Sequence, residues 1–295
     1  MSVEDQNIHF KLTSGSVVDE VFRFGCSYAQ PAKDGSPAWL IDLYQRKAIV
    51  TGRALGCDVP SFPPVDSLVQ IRGSVLRDGP DAFIWVRKLD VVAVPGSDVC
   101  VFDLALPQWV VDGSVIDRAL QLWSSLGSDY REFVNAVFVQ PRVLRGFLCA
   151  PGSVRHHHAY DGGCIEHSVE LGELADVIAT RNRNINRDRL VTGALIHDCG
   201  KSIEYVRTRS GRWRLGRYGR SVGHKIGGIQ LATLAMTRCP AFASDRKEAL
   251  LHMLAASYAP AWAGFRSPFS AEAVLLSAID RVGAETGRSQ PKPLP

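Results

Sequence analysis

Thr192-Gly-Ala-Leu-Ile-His-Asp-Cys-Gly-Lys201 is a run of small and apolar residues that ends in an adjacent imidazole and carboxylate, then a glycine and a lysine. Leu190, Val191, Ala194 and Leu195 recur at helical spacing and predict a helix with one buried side. His197 and Asp198 fall on its last turn, and Gly200 marks the break beyond it. Side by side at the end of a buried helix, the two groups can face one cation, and Lys201 adds a positive charge nearby. Cys199, between them and the glycine, reads as a small buried filler.

The surrounding chain strengthens that reading. Of 8 histidines, only His9 lies outside the stretch from His156 to His252. Arg155-His-His-His-Ala-Tyr-Asp-Gly-Gly-Cys-Ile-Glu-His167 leads into a helix that carries His167 in its first turn and runs to about Thr180. Gly223-His224-Lys225 opens another helix, a further one carries His252, and the last, with Ser270 as its N-cap, carries Asp280. Four histidines near helix ends, with two aspartates, are hard to explain as packing alone. Imidazole with carboxylate suits Mn, Fe, Zn or Ni, and Mg where carboxylate or water ligands are added. A bound divalent ion makes hydroxide available near neutral pH and steadies an in-line displacement at phosphorus. With no Walker loop, GxSxG elbow or Cys-His protease signature, phosphoester hydrolysis is the favoured chemistry.

At 295 residues, 46% hydrophobic and 22% charged, the chain has the composition of a globular protein of about two domains. No apolar run is long enough for a membrane span, and the polar, acidic start is not a secretory signal. The 7 cysteines are scattered without a CxxC pair, which points to reduced thiols in a cytoplasm. A homo-oligomer is compatible with this composition. Residues 1–150 carry 14 Lys+Arg against 17 Asp+Glu, and residues 151–295 carry 20 against 13, so a polyanion should meet the second half. There, residues 207–220 hold six arginines (Arg207, Arg209, Arg212, Arg214, Arg217 and Arg220) with Trp213 and Tyr218 and no acid. Arg212, Arg214 and Arg217 are candidate phosphate contacts; the alternative is a solvated charged loop.

The first half reads as strands over 17–28, 38–43, 46–55, 68–76 and 82–92, split by turn-rich pieces. Five short strands in this span fit an OB-like closed barrel. Phe22, Phe24, Tyr28, Trp39, Tyr44 and Trp85 could stack on bases, with Arg46, Lys47, Arg53 and Arg72 on phosphates; the alternative is that most of the aromatics fill the barrel. The expected organisation is a flexible arm (1–15), the OB-like β-barrel (16–95), a linker (96–110), an all-helical domain (111–286) and a disordered tail (287–295).

His167, His197-Asp198 and Asp280, in this order, resemble the HD-domain metal-dependent phosphohydrolases, an all-helical superfamily. More closely, residues 156–280 are similar to the HD part of the YhaM-type 3′→5′ exoribonucleases. The matching text is His157-His158-Ala-Tyr-Asp-Gly-Gly-Cys-Ile-Glu-His167, then Gly193-Ala-Leu-Ile-His-Asp-Cys-Gly-Lys201 with Glu204-Tyr205, Gly223-His224, Leu251-His252-Met253, and Glu272-Ala273 before Ile279-Asp280. That family also carries an OB barrel ahead of the HD domain. A similar His-rich text occurs in HD-containing relaxases of conjugative elements.

The resemblance implies a first metal held by His167, His197, Asp198 and Asp280. Asp198 would bridge to a second metal, held also by His224 and His252. Lys201 would stabilise phosphate charge, and His157 and His158 would line the substrate entrance. One departure matters: Ser257 and Tyr258 stand where the family has two histidines. A serine hydroxyl is a poor ligand beside imidazole, so the second ion is expected to bind weakly or not at all.

The leading expectation is therefore a cytoplasmic, metal-dependent 3′→5′ exonuclease on single-stranded nucleic acid, RNA ahead of DNA. Two alternatives stand beside it. One is a one-metal nucleotide phosphohydrolase. The other is a non-catalytic nucleic-acid-binding or mobile-element accessory protein that kept the fold.

Overall fold

The structure, a computed structural model, describes residues 13–32, 34–59, 61–154, 158–240, 242–256, 264 and 266–286. The expected arm, apart from its last three residues, and the expected tail lie outside the described residues. By internal contacts the chain divides into two compact units, 1–95 with 101–108, and 96–100 with 109–295.

The first unit is a closed barrel. Its strands are β1 (Val17–Ala29), β2 (Ala38–Gln45), β3 (Ala48–Leu55), β4 (Leu68–Asp78) and β5 (Asp81–Val91). They follow the order β1-β2-β3-β5-β4, and β1 pairs with β4 to close it. The β3–β5 pairing is parallel, with Gly52 opposite Ile84, and the other pairings are antiparallel. This is the OB arrangement. Period-2 sequence drives it: along β3, buried Ala48, Val50 and Ala54 alternate with more exposed neighbours. Phe22, Phe24, Ile41, Leu43, Ile71 and Ile84 fill the interior. Phe22 and Phe24 are thus core residues and not stacking platforms, whereas Tyr28 is exposed. Arg46 is buried as well, paired with Asp103 at 3.2 Å.

The stretch 96–110, expected as a linker, is packed. Val101, Phe102 and Leu104 are buried in a short 3-10 turn. Buried Arg23 donates to Leu104 O at 2.6 Å, and the Arg46 N–H donates to Asp103 O at 2.7 Å. In the other unit, the Asn135 side chain donates to Gly96 O and Val99 O.

The second unit is helical: α1 (Gly113–Ser124), α2 (Ser128–Phe138), α3 (Pro141–Cys149), α4 (Gly163–Arg181), α5 (Arg187–Ile196), α6 (Lys201–Glu204), α7 (Arg217–Ser221), α8 (His224–Arg238), α9 (Ser244–Ala255) and α10 (Ala271–Thr286). A two-stranded ribbon, β6 (Tyr205–Arg207) with β7 (Trp213–Leu215), separates α6 from α7. α5 begins where Asn186 Oδ1 accepts the Arg189 N–H at 3.0 Å. Leu190, Val191, Ala194, Leu195 and Ile196 are wholly buried, each large side chain contributing about 1.5–3 kcal/mol. α10 is fastened to the start of α5, because buried Glu272 accepts the Asn186 N–H at 2.9 Å. The Ser270 hydroxyl caps α10 through the Ala273 N–H. α4, α5 and α10 pack together, which brings His167 near the start of α4, His197 at the end of α5 and Asp280 within α10 to one place. Among the described residues, no helix is long and apolar enough to cross a membrane.

Candidate metal centre

α5 delivers its histidine in a fixed tautomer. The His197 N–H donates to Gly193 O, and Nδ1 lies 2.8 Å from Ala194 O. A carbonyl only accepts, so Nδ1 carries a proton and Nε2 is the atom aimed at the site. That nitrogen is buried, forms no aligned hydrogen bond, and lies 3.3 Å from Asp198 Oδ2 and 3.7 Å from Asp280 Oδ1. His167, wholly buried on α4, places Nε2 3.1 Å from Asp280 Oδ1 and 4.0 Å from Asp198 Oδ2. One ligand atom from each of His167, His197 and Asp280 lies within 4.8 Å of the others. That spacing lets one ion reach all three.

The charges around this point call for a cation. Burial works against a charged Asp198, but Lys201 and His197 hold it well below the ordinary carboxylate range. Burial likewise opposes ionisation of Asp280, but the hydrogen bond from His167 and the nearby His197 ring hold its carboxyl well below the ordinary carboxylate range. His197 shows the converse: burial disfavours its imidazolium, yet Asp198 and then Asp280 push its pKa up to about 10. Here a proton on His197 supplies the positive charge that the two carboxylates draw in. An ion of the Mn, Fe, Zn or Ni type fits the imidazole and carboxylate donors present, and would take that place.

Lys201 is a buried partner of Asp198. Its ammonium contacts Asp198 Oδ2 and donates to Gly152 O at 2.5 Å. Burial alone would lower its pKa, but Asp198 holds it above the ordinary lysine value.

The other Asp198 oxygen faces His224, whose Nε2 is 3.8 Å from Oδ1. Buried Glu204 orients this ring: its carboxylate lies 3.0 Å from His224 Nδ1 and accepts the His224 N–H at 3.1 Å. Carboxylates in this position fix the tautomer of a ligating histidine. The approach needs a glycine, since a Cβ on Gly200 would lie 1.9 Å from His224 O. The next residue, Lys225, donates to Ala256 O at 2.9 Å, and the charges of Asp280 and Asp198 act on it. His252 is engaged elsewhere, with Nε2 accepting the Phe269 N–H at 3.3 Å and its ring 3.9 Å from the Phe269 ring. Ser257 and Tyr258 lie outside the described residues.

His157 also lies outside them. His158 is buried and adopts a positive φ of 50°. Its ring is 5.4 Å from that of His167. Nδ1 lies 2.8 Å from the Tyr160 hydroxyl, which donates onward to Glu166 at 2.6 Å, and Nε2 lies 3.2 Å from Glu170. His158 thus backs the His167 ring from within the protein.

The arginine-rich stretch is the β6–β7 ribbon with α7 after it. Asp161 fastens it, accepting from Arg207 at 2.7 Å and from Trp213 Nε1 at 2.6 Å. Arg212, Arg214 and Arg217 are exposed, and no carboxylate among the described residues pairs with them. Sequence reasoning gave no roles to Glu204, Gly152, Glu166 or Asp161. Glu204 alone had a local signal, three residues beyond Lys201 on the same short helix.

Residues 164–285, within the helical unit, match the sequence model of the HD domain family. Over 143 residues the chain is 29% identical to the 3′-5′ exoribonuclease YhaM of a Geobacillus species, covering 47% of this chain and 42% of that protein. The Listeria innocua YhaM is 30% identical over 142 residues, covering 47% and 44%. A 67-residue stretch is 39% identical to the dihydroneopterin 2′,3′-cyclic phosphate phosphodiesterase of Methanocaldococcus jannaschii, covering 21% of this chain and 27% of that protein. The chain spans less than half the length of these curated relatives. The matches accord with the resemblance drawn from the motifs.

Proposed function

We propose that this chain is a metal-dependent phosphodiesterase that removes nucleotides from the 3′ end of single-stranded nucleic acid, RNA in preference to DNA. The observation that carries the reading is the convergence of His167, His197 and Asp280 on one point, with Asp198 held ionised beside it. When bound there, a divalent ion activates water and neutralises phosphate charge.

The chain's own residues do the rest. Asp198, shared between the His197 side and the His224 side, fixes the centre of the site. Lys201 stays protonated and adds positive charge where phosphate charge develops. Glu204 holds the His224 ring with Nε2 toward Asp198. The exposed arginines of the β6–β7 ribbon and α7 draw the strand by its phosphates. The YhaM names attached to two relatives support an RNA substrate.

The Methanocaldococcus relative favours a second reading, in which a small cyclic phosphodiester is the substrate. One experiment separates the two. Metal-stripped protein receives Mn in steps, metal content is read in parallel, and 3′-labelled RNA and DNA are offered beside a nucleoside 2′,3′-cyclic phosphate. Metal-dependent release of mononucleotides, lost with metal binding in His197→Ala, is the expected result. Full activity in His197→Ala would overturn the assignment. Cleavage of the cyclic phosphate alone would establish the second reading, and metal binding without turnover would leave a binding protein.

A further inference from the structure

Lys225 comes directly after His224 on α8, and the proposed chemistry gives it no part. Its ammonium donates to Ala256 O at 2.9 Å, which holds it beside the last turn of α9. Burial lowers the pKa of this lysine, while the charges of Asp280 and then Asp198 act to raise it. The ammonium thus lies in the field of both carboxylates of the metal centre.

It also lies on the open side of that centre. Asp198 and His167 are buried, but the Asp280 and His224 side chains are 47% and 42% exposed. Lys225 adjoins these two open members, as the chain neighbour of His224 and as a charge on which Asp280 acts more strongly than Asp198. Lys201 is the contrasting case, a buried ammonium committed to Asp198 and to Gly152 O.

Counting charge shows what Lys225 adds. Among the described residues, Asp198, Asp280 and Glu204 are the carboxylates that meet the rings of His167, His197 and His224, and Lys201 offsets one of their three charges. A divalent ion held with neutral imidazoles offsets the other two. The loaded centre would then be neutral, and Lys225 gives it one positive charge. That matches the single negative charge of a phosphodiester.

Resting on the proposed function, we infer that Lys225 binds a non-bridging oxygen of the scissile phosphate on the open side of the centre, and that its charge trades affinity for the metal against affinity for the phosphate. An ammonium has three N–H donors, so one can stay on Ala256 O while another meets the phosphate. Lysine suits this place as a compact point charge.

The test uses full-length protein stripped of metal, with calorimetry of Mn and then of inorganic phosphate on the Mn-loaded protein. Lys225→Met nearly keeps the length of the side chain and removes its charge. It should weaken phosphate about tenfold and tighten Mn about threefold or more, because one positive charge no longer opposes the ion. Lys225→Arg should return both affinities toward the wild-type values. The opposed signs separate this role from a structural one, since loosening the contact of α8 with α9 through Ala256 would weaken both ligands together. A wild type that binds no phosphate, a phosphate affinity unchanged in Lys225→Met, or a joint fall of both affinities would overturn the inference. Hydrolysis of bis(p-nitrophenyl) phosphate by wild type tests the proposed function separately. Should wild type fail to hydrolyse it, opposed shifts in Lys225→Met would still support an anion site at this lysine, and parallel shifts would still refute one.

Discussion

Replacing Gly200 with alanine sets two effects against each other. Gly200 has φ −64° and ψ −21°, helical values that any residue adopts. Backbone entropy alone would then favour alanine by about 0.4–1 kcal/mol. The added Cβ, however, would lie 1.9 Å from His224 O and 2.5 Å from Gly228 N. These are backbone atoms that cannot rotate aside. A comfortable carbon–oxygen contact is about 3.3 Å or more, so the first turn of α8 must retreat by roughly 1.4 Å. Overpacking costs about 1–3 kcal/mol, and two backbone clashes put this case near the top of that range. Packing therefore wins, leaving a net loss of about 2 kcal/mol. For a unit of this size, that loss lowers Tm by about 4–8 °C. The retreat also draws His224 away from Asp198, now 3.8 Å distant, so binding of Mn on that side should weaken as well. Thermal unfolding followed by circular dichroism reads the first effect, and calorimetric titration reads the second. A Gly200→Ala protein that melts at or above the wild-type temperature would refute the reasoning.

Three further outcomes follow from the same geometry. His197 has its pKa raised from 6.5 to about 10, so its charge stabilises the metal-free protein fully below pH 6.5, and that contribution is lost as pH rises toward 10. Metal competes with this proton, so the gain in Tm on adding Mn should grow between pH 6.5 and 8.5; a constant gain would contradict it. Glu204→Gln removes the charge that orients His224 and should weaken Mn held through that ring by about 10–100-fold, with unchanged calorimetry counting against the role. Replacing Arg212, Arg214 and Arg217 together with alanine should reduce the salt dependence of single-strand binding. The slope of log K against log salt should fall in magnitude by about 2, measured by fluorescence anisotropy, and an equal slope would exclude the ribbon from the phosphate contact.

What the sequence made legible was whatever local periodicity encodes. The strands lie within about two residues of their predicted limits, because alternation in stretches such as Ala48–Leu55 records which side faces the barrel. The buried side of α5, and the placing of His197 and Asp198 at its end, were readable for the same reason. Long-range pairings leave no such trace. Nothing near Lys201 indicates that Gly152, 49 positions away, receives its ammonium. Nor does Asp161 look different from a loop carboxylate until Arg207 and Trp213 arrive on it. The stretch 96–110 suggests a linker by its glycine, its proline and the proline just before it, while Val101, Phe102 and Leu104 pack like any core residues. His158 is the opposite case: a histidine beside a glycine-rich turn suggests exposure, and its buried ring is 5.4 Å from that of His167.

The manner in which Asp161 holds the ribbon bears on how such a protein can evolve. The ribbon leaves the helical frame immediately after Glu204 and rejoins it before His224, with the Gly216 N–H donating to Glu204 O at 2.8 Å. Its far turn, residues 208–212, is largely exposed and contributes no group to the centre. Mutation can therefore lengthen, shorten or recharge that turn while the residues around Asp198 stay as they are. Under the proposed function, affinity for a polyanion and competence for hydrolysis would be heritable traits carried by separate short segments, and selection could adjust one without first breaking the other.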